Sequence, residues 1–187
     1  QEDIDLLARD RYNREKREGE EHMFGIEALY PDKIIESVYT FDWEKAAKKY
    51  RGVIFDVDNT LVPHGAAAEQ RTVELFQRMH QLGIKTMLVS NNGEKRLKPF
   101  AKMLSTEYIY KAGKPKKKGY ERAIQKLSLG KDEILFVGDQ IFTDIWGANR
   151  VGLDTILTEP VDSSTDEPQI VVKRWLERPF RRVRDKK

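Results

Sequence analysis

Short apolar runs alternate with amphipathic stretches five times between residues 52 and 157. The runs are rich in β-branched and aromatic residues, which predicts strands. They cover residues 52–57, 84–90, 108–110, 134–138 and 154–157. Several of these runs have no polar alternation, as is typical of strands in a parallel sheet that helices cover on both faces.

The segments between the runs show helical spacing of apolar residues, and glycine follows two of them. The apolar positions are 73, 76, 79 and 80 before Gly83, and 120, 123, 124 and 127 before Gly130. Glycine just after a periodic segment indicates a helix end. The pattern therefore predicts a doubly wound, Rossmann-like α/β fold, a three-layer sandwich around a mainly parallel sheet. Ligands of such sheets bind beyond the carboxyl ends of the strands.

Length and composition favour one domain in residues 23–187. Residues 1–22 are dense in charge and end at His22-Met23, so we interpret them as a charged N-terminal extension or a vector-derived join. The chain has no cysteine, which excludes disulfides and thiolate chemistry and favours a cytoplasmic location. No apolar run approaches the roughly 20 residues that cross a bilayer.

The charge of the chain is nearly balanced, with 34 basic and 31 acidic residues, but its distribution is uneven. Eight basic and two acidic residues lie between Lys173 and Lys187, so the tail from about residue 168 to 187 is basic. Apolar residues fall among these cations at near-helical spacing, up to Pro179. Two interpretations stay open: the apolar groups close the core, or the tail contacts an anionic membrane surface. We expect no nucleic-acid partner.

Two carboxylates, Asp56 and Asp58, follow the first predicted strand directly. Residues i and i+2 of a strand share a face, so both side chains could enter one cavity, where one attacks phosphorus and the other transfers protons. Their repulsion would require a cation, and Mg²⁺ prefers oxygen ligands. A pair of turn-forming residues after a strand would look the same, so this motif alone does not decide the function.

Polar residues also follow the later strands. Ser90 and Asn91 end the second strand and open a helix, where hydroxyl, amide and backbone N–H groups can hold phosphate oxygens. Lys114 follows the third strand and could neutralise both a phosphate and the attacking carboxylate. Asp139 follows the fourth strand and could complete a magnesium site with Asp56, while Asp144 could orient Lys114 or a metal-bound water.

Together these segments resemble the haloacid dehalogenase superfamily of phosphohydrolases. The shared segments are DVDNTL from residue 56, VSNN from residue 89, the Lys114-Pro115 pair, and GDQ with a following TD from residue 138. The resemblance implies that Asp56 is the nucleophile, Asp58 the general acid and base, and Ser90 and Lys114 phosphate contacts. It also implies Mg²⁺ held by Asp56, the main-chain carbonyl of Asp58, and Asp139.

A narrower set of residues resembles the YqeG-like phosphatases of subfamily IIIA, which include phosphatidylglycerophosphate phosphatases. These residues are the stretch from Tyr30 to about Val38, the DNTLV, VSNN and GDQ motifs, the KAGKP segment from Lys111, and the GANR segment from Gly147. The resemblance implies a phosphate monoester substrate, with a lipid phosphate as one candidate, met at the inner face of a membrane.

The sequence thus favours a magnesium-dependent phosphatase with an aspartyl-phosphate intermediate. The stretches 62–83 and 92–113 are too short to contain a cap domain, so we expect an open cleft that suits a bulky substrate. Alternatives remain a soluble or macromolecular phosphate ester as substrate, a catalytically weak binding or regulatory module, and a receiver-like phosphoacceptor domain.

Overall fold

The computed structural model describes residues 25–165 and 168–183 and contains a six-stranded sheet in which every pairing is parallel. The spatial order is β1-β6-β5-β2-β3-β4. The strands are β1 (Lys33–Ile35), β2 (Gly52–Phe55), β3 (Lys85–Val89), β4 (Glu107–Ile109), β5 (Ile134–Gly138) and β6 (Asp154–Thr158). Strands β2, β5 and β6 are buried along their whole length, which explains why the sequence shows apolar runs there.

Helices cover both faces of the sheet and form the outer layers of a three-layer sandwich. They are α1 (Trp43–Ala46), α2 (Gln70–Gln81), α3 (Glu94–Met103), α4 (Lys117–Leu127), α5 (Trp146–Asn149) and α6 (Pro168–Glu177). Residues of α1, α2 and α3 pack on one face, against Phe55, Leu88 and Val137. Residues of α4 and α5 pack on the other face, against Ile54 and Phe136. The predicted doubly wound α/β fold is confirmed.

The sequence predicted five of the six strands. It missed β1, a three-residue strand that lies at the edge of the sheet and pairs only with β6. A run of two isoleucines after one lysine is too short to show a period of two, so only the tertiary pairing defines it. The predicted bounds of β5 match the observed ones, and those of the other four strands differ by one or two residues.

The sequence predicted that a glycine ends each of two helices, and this is confirmed for α2 but wrong for α4. After α2, Gly83 has a φ of +77° and takes the left-handed position that favours glycine. After α4, Ser128 takes that position with a φ of +54°, two residues before Gly130. The Ser128 amide donates to the Ile124 and Gln125 carbonyls, which satisfies the helix end without a glycine.

No cap domain interrupts the sheet within the described residues. A loop of residues 56–69 and helix α2 connect β2 to β3, and helix α3 connects β3 to β4. The expectation that these connections contain no cap domain is therefore confirmed for this part of the chain.

The C-terminal segment lies beside the turn that follows β5. After α6 comes a 3₁₀ turn, Arg178–Phe180, so the helix ends before Pro179 as the sequence predicted. Phe180 packs near the rings of Tyr30 and Phe142. Exposed apolar residues on this segment show that core closure is the wrong interpretation for them: Val171, Val172, Trp175, Leu176 and Val183. None of the helices in residues 25–165 and 168–183 is long and apolar enough to cross a membrane.

Gly147 marks the closest approach between α5 and α4. A Cβ atom at Gly147 would lie 2.3 Å from the hydroxyl oxygen of Tyr120 and 2.5 Å from its ring, and Tyr120 is fully buried. The Tyr120 hydroxyl donates to the Thr143 carbonyl, just before Asp144. The absence of a side chain at residue 147 therefore lets α4 support the segment that contains Asp144.

We predict that Gly147→Ala destabilises the protein by about 1–3 kcal/mol, because the buried Tyr120 ring must move. Thermal unfolding should show this as a fall in Tm of about 2–4 °C per kcal/mol. The control is Gly93→Ala, where no heavy atom lies within 4 Å of the new Cβ. Equal Tm values for the two variants would contradict the close-packing argument.

Candidate active site

The ends of β2, β3 and β5 bring the predicted residues to one edge of the sheet. Asp56 follows β2 directly, Ser90 follows β3, and Asp139 follows β5. The Asp56 amide donates to the Val137 carbonyl at 2.9 Å, so the strand ladder itself fixes the residue before its side chain leaves the sheet. All three side chains are buried at this edge. Asp139 is fully enclosed.

Lys114 joins two of the carboxylates. Its Nζ atom lies 2.6 Å from Asp56 Oδ1 and 2.6 Å from Asp144 Oδ1, and the residue is 8% exposed. Burial by itself lowers the pKa of Lys114, but the charges of Asp144 and Asp56 outweigh it and raise the pKa above its ordinary value. Lys114 therefore stays charged at neutral pH.

Asn91 fixes the main chain of Lys114. Its side-chain oxygen accepts from the Lys114 amide at 2.7 Å, and its side-chain nitrogen donates to the Lys114 carbonyl at 3.2 Å. The peptide bond between Lys114 and Pro115 is cis. The predicted contact of Asn91 with substrate stays a prediction, because in the structure the amide holds the lysine segment.

Asp144 reaches the site from a π-helical turn, Ile141–Ile145, that precedes α5. Its other carboxylate oxygen accepts from the Gln140 amide at 3.1 Å. The side chain crosses Gly138, where an added Cβ would lie 2.5 Å from Asp144 Cβ. Glycine is therefore required before Asp139 to let Asp144 approach, which gives a physical reason for the Gly138-Asp139 pair.

Asp56, Asp139 and Asp144 form a buried acidic cluster in which one oxygen of each lies within 4.8 Å of the others. Burial raises the pKa of Asp56 well above its ordinary value, against the opposing charge of Lys114. Burial and the neighbouring Asp144 raise the pKa of Asp139 to about 7, although Arg174 opposes the shift. Both shifts have the same main cause, which is the loss of hydration on burial, and the neighbouring carboxylates add to it.

This donor set fits a hard divalent cation. Carboxylate oxygens are the ligands that Mg²⁺ prefers, and the cluster combines three of them with an excess of negative charge. The metal ligands predicted from sequence were Asp56, Asp58 and Asp139. The structure brings Asp144 into the cluster, while the role of the Asp58 main-chain carbonyl stays a prediction.

The Asp58 carboxylate is held by donors on the opposite side of the first-motif loop. It accepts from the Gly65 amide at 2.8 Å, from the Arg96 guanidinium at 3.0 Å and from the side-chain amide of Asn92. Arg96 belongs to the first turn of α3, so helix and loop are tied together through this carboxylate.

The Ser90 hydroxyl lies at the start of the turn that leads into α3. It is 3% exposed and accepts from the Asn92 amide at 3.2 Å, and the Ser90 main chain pairs with Ile109 and Ala112 on the β4 side. The hydroxyl proton has no acceptor among the contacts of the described residues. It can therefore donate to a phosphate oxygen, as the sequence predicted, although this contact stays a prediction.

Three residues that contact the predicted site residues were not singled out from the sequence. The Thr60 hydroxyl donates to Asp139 Oδ1 at 3.3 Å, Arg96 binds Asp58, and Arg174 of α6 donates to Asp139 Oδ2 at 2.6 Å. Thr60 lies inside the recognised first motif. No local signal separates Arg96 or Arg174 from the many other basic residues of the chain.

Comparison with known proteins identifies the family. A sequence model of haloacid dehalogenase-like hydrolases matches residues 69–152. The protein described as "Probable phosphatase YqeG" of Bacillus subtilis (strain 168) is 41% identical over 136 residues, which cover 72% of this chain and 79% of that protein. Phosphatidylglycerophosphate phosphatase 1, chloroplastic/mitochondrial, of Arabidopsis thaliana is 29% identical over 176 residues, and this chain spans half of its length.

Among solved structures, an uncharacterised protein from Listeria monocytogenes serotype 4b matches with a TM-score of 0.48 and 20% identity, over 68% of this chain and 98% of that one. A 3-deoxy-D-manno-octulosonate 8-phosphate phosphatase from Moraxella catarrhalis matches with a TM-score of 0.44 and 18% identity, over 53% of this chain and 63% of that one. Because it is 41% identical to the Bacillus subtilis protein and covers 79% of it, the chain belongs to the haloacid dehalogenase-like hydrolases, as a phosphatase of the YqeG-like group.

Proposed function

We propose that this chain hydrolyses phosphate monoesters through an aspartyl-phosphate on Asp56, with Mg²⁺ as cofactor. The observation that carries the proposal is the buried contact of Lys114 with Asp56, 2.6 Å long, inside an acidic cluster at the carboxyl edge of the sheet. The contact supports the proposal because the Lys114 ammonium group lies against an Asp56 oxygen, near where the charge of a transferring phosphoryl group would develop.

In the first step an Asp56 oxygen attacks phosphorus in line, so a bond from Asp56 to phosphorus forms while the bond to the leaving oxygen breaks. Asp58 gives its proton to that oxygen, and the alcohol departs. In the second step Asp58 takes a proton from water, whose oxygen attacks phosphorus and releases inorganic phosphate and free Asp56. Lys114 and the Ser90 hydroxyl bind phosphoryl oxygens in both steps.

Asp56, Asp139 and the main chain at Asp58 would hold the cation, with Asp144 adjacent. When bound, Mg²⁺ supplies Lewis-acid stabilisation of the phosphoryl charge. Asp144 also keeps Lys114 in place through their 2.6 Å contact.

Asp56→Asn should abolish hydrolysis of a soluble ester such as p-nitrophenyl phosphate, by on the order of 10³-fold or more, because the amide keeps the shape but is not a nucleophile. Circular dichroism checks that the variant is folded, and the control is Gln81→Ala, an exposed substitution at the end of α2 that precedes the start of β3, opposite the carboxyl edge of the sheet. Substantial turnover by folded Asp56→Asn would refute the mechanism. A phosphoryl group that persists on wild-type Asp56 would instead support a phosphoacceptor domain.

The stability of the metal-free protein should depend on the charge of Asp139. The pKa of Asp139 is about 7 in the folded chain and ordinarily 3.8, so the folded state retains a proton that the unfolded state has lost between these values. This contribution to stability is full below about pH 4 and is lost as pH rises through about 7. Asp139→Asn resembles the protonated form, so without metal its Tm should increasingly exceed that of the wild type from pH 4 to 8.

At pH 8, added Mg²⁺ should raise the Tm of the wild type above that of Asp139→Asn. The free energy of unfolding of the wild type should rise by about 2.7 kcal/mol at a metal concentration 100 times Kd. That of Asp139→Asn should rise less, because the variant lacks a charged ligand. Thermal unfolding with EDTA and with Mg²⁺ measures both effects. A pH-independent difference in Tm, or an equal response of the two proteins to Mg²⁺, would contradict the placement of the cation at Asp139.

We further propose a lipid phosphate, phosphatidylglycerophosphate, as the substrate. Three observations support it: the absence of a cap within the described residues, the exposed apolar residues of α6, and the similarity to the Arabidopsis phosphatidylglycerophosphate phosphatase. An uncapped cleft admits a phosphate that belongs to a bulky body. Exposed Trp175 and its apolar neighbours, next to arginines, suit peripheral contact with an anionic membrane.

The kcat/KM for phosphatidylglycerophosphate in anionic vesicles should therefore be at least about tenfold higher than the kcat/KM for sugar or nucleotide phosphates. The double variant Val172→Ser with Trp175→Ser should lose vesicle binding and the lipid activity while keeping activity on p-nitrophenyl phosphate. Its control is a Lys95→Ser substitution on the exposed surface of α3. Faster turnover of soluble esters, with no effect of the double variant on vesicle binding, would defeat the lipid assignment.

A further inference from the structure

Helix α6 is amphipathic with its faces reversed. The residues that face the protein are charged, because Glu177 is fully buried and Arg174 reaches the buried Asp139. The residues that face outward are apolar: Val171 is 52% exposed, Val172 58%, Trp175 63% and Leu176 48%. A surface helix of a globular protein normally has the opposite arrangement.

The inward Arg174 binds a predicted metal ligand. One guanidinium nitrogen lies 2.6 Å from Asp139 Oδ2 and the other 3.3 Å from the Asp139 carbonyl oxygen, and the arginine side chain is 14% exposed. The Thr60 hydroxyl contacts the other carboxylate oxygen. Both oxygens of Asp139 thus have donors while α6 is docked.

Charge balance points to competition between Arg174 and a divalent cation. The cluster of Asp56, Asp139 and Asp144 contains three carboxylates, and Lys114 compensates one charge. When all three carboxylates are ionised, the two negative charges that remain equal what one divalent cation supplies. Arg174 supplies half of that charge and would repel a cation bound a few ångströms away.

The second inward residue ties α6 to the turn that follows β5. Glu177 Oε1 accepts from the Phe142 amide at 2.8 Å, and the Ile141 amide also interacts with this carboxylate. Burial raises the pKa of Glu177, against the lowering effect of these two backbone amides. Since the outward apolar residues add no burial, α6 is held mainly by polar contacts that water could replace.

The chemistry of the outward face selects an anionic lipid surface as its partner. Exposed Lys173 and Arg178 flank the apolar residues, and Glu177, the only acidic residue in the described range 168–183, points inward. Trp175 is the most exposed of the large apolar residues of the described chain. Apolar and aromatic side chains bordered by cations bind the headgroup region of anionic bilayers.

We propose that α6 is a reversible plug of the metal site. While the helix is docked, Arg174 holds Asp139. Binding of the outward apolar face to an anionic bilayer undocks the helix and frees Asp139 for a divalent cation. The proposal rests on the cation site proposed above and adds to it a control by the lipid surface. It explains why a helix with charged residues inside and tryptophan outside lies at the catalytic edge.

The first test measures Mg²⁺ affinity of the full chain by isothermal titration calorimetry without lipid. Arg174→Gln should bind Mg²⁺ about tenfold more tightly than wild type, within the 5–150-fold range typical of coupled sites. Glu177→Ala should also bind more tightly although it keeps Arg174, because it removes the acceptor of the Phe142 amide and undocks the helix. Lys173→Gln removes one exposed charge of α6 and should leave the affinity unchanged.

Circular dichroism and thermal unfolding establish that each variant is folded. Unchanged Mg²⁺ affinity in both Arg174→Gln and Glu177→Ala would overturn the proposal. Tighter binding by Arg174→Gln alone would also overturn it, because Arg174 would then act as a local charge and not through helix docking. An equal gain in Lys173→Gln would show a general charge effect and would overturn it as well.

The second test follows the Phe142 amide by hydrogen exchange, because Glu177 is its acceptor only while α6 is docked. Vesicles with phosphatidylglycerol should increase exchange at Phe142 several-fold, and neutral phosphatidylcholine vesicles should not. The Val172→Ser, Trp175→Ser variant should show no increase with either. Exchange that is insensitive to anionic vesicles, or equally sensitive to neutral ones, would overturn the choice of an anionic bilayer as partner.

These readouts separate the plug from the proposed function. If wild type and Arg174→Gln both fail to hydrolyse p-nitrophenyl phosphate at saturating Mg²⁺, the phosphatase proposal fails, while the affinity and exchange measurements still decide whether α6 controls the site. If hydrolysis proceeds and Mg²⁺ affinity does not differ among the variants, the plug fails and the phosphatase proposal stands.

Discussion

The contact of Lys114 with Asp56 and Asp144 is the interaction on which the rest of the site depends. Three carboxylates buried within 4.8 Å of one another repel and have lost most of their hydration, and both effects oppose their ionised forms. One ammonium group at 2.6 Å from two of them makes the arrangement possible. Removal of one partner from such a group is more costly than its formation is favourable, so the elements that position Lys114 are as important as the lysine.

The supporting contacts follow from that constraint. The Asn91 side chain binds the amide and carbonyl of Lys114, and the Gly138 backbone leaves room for Asp144 to approach. Tyr120 supports the turn before Asp144 from below, and Gly147 leaves space for the Tyr120 ring. The residues that hold the buried Lys114 ammonium group in place thus extend from the sheet edge through α4 and α5. None of these supporting residues performs chemistry.

The sequence predicts the part of this arrangement that depends on short-range patterns. Buried parallel strands appear as apolar runs, and polar residues directly after such runs meet at one edge, so Asp56, Ser90 and Asp139 could be placed from the order of elements alone. Lys114 and Asp144 could be proposed only from their positions among these other elements, since an isolated lysine is usually a solvated surface residue and an aspartate that opens a helix usually stabilises the helix N-terminus. Strand β1 and the Ser128 helix end depend on tertiary pairing and local hydrogen bonds that no pattern in the sequence encodes.

The arginines that complete the site show a different limit. Arg96 and Arg174 are two of 34 basic residues, and the feature that distinguishes them is the carboxylate each one contacts. Around Arg174 the sequence left two interpretations open, because apolar residues at helical spacing can mark a face that packs inward or a face that contacts a membrane. On α6 those residues face outward, since the inward face must meet a cluster with excess negative charge. The electrostatic contacts at the catalytic edge therefore outweigh the hydrophobic effect, which orients most surface helices, and they leave Trp175 and its apolar neighbours exposed on α6.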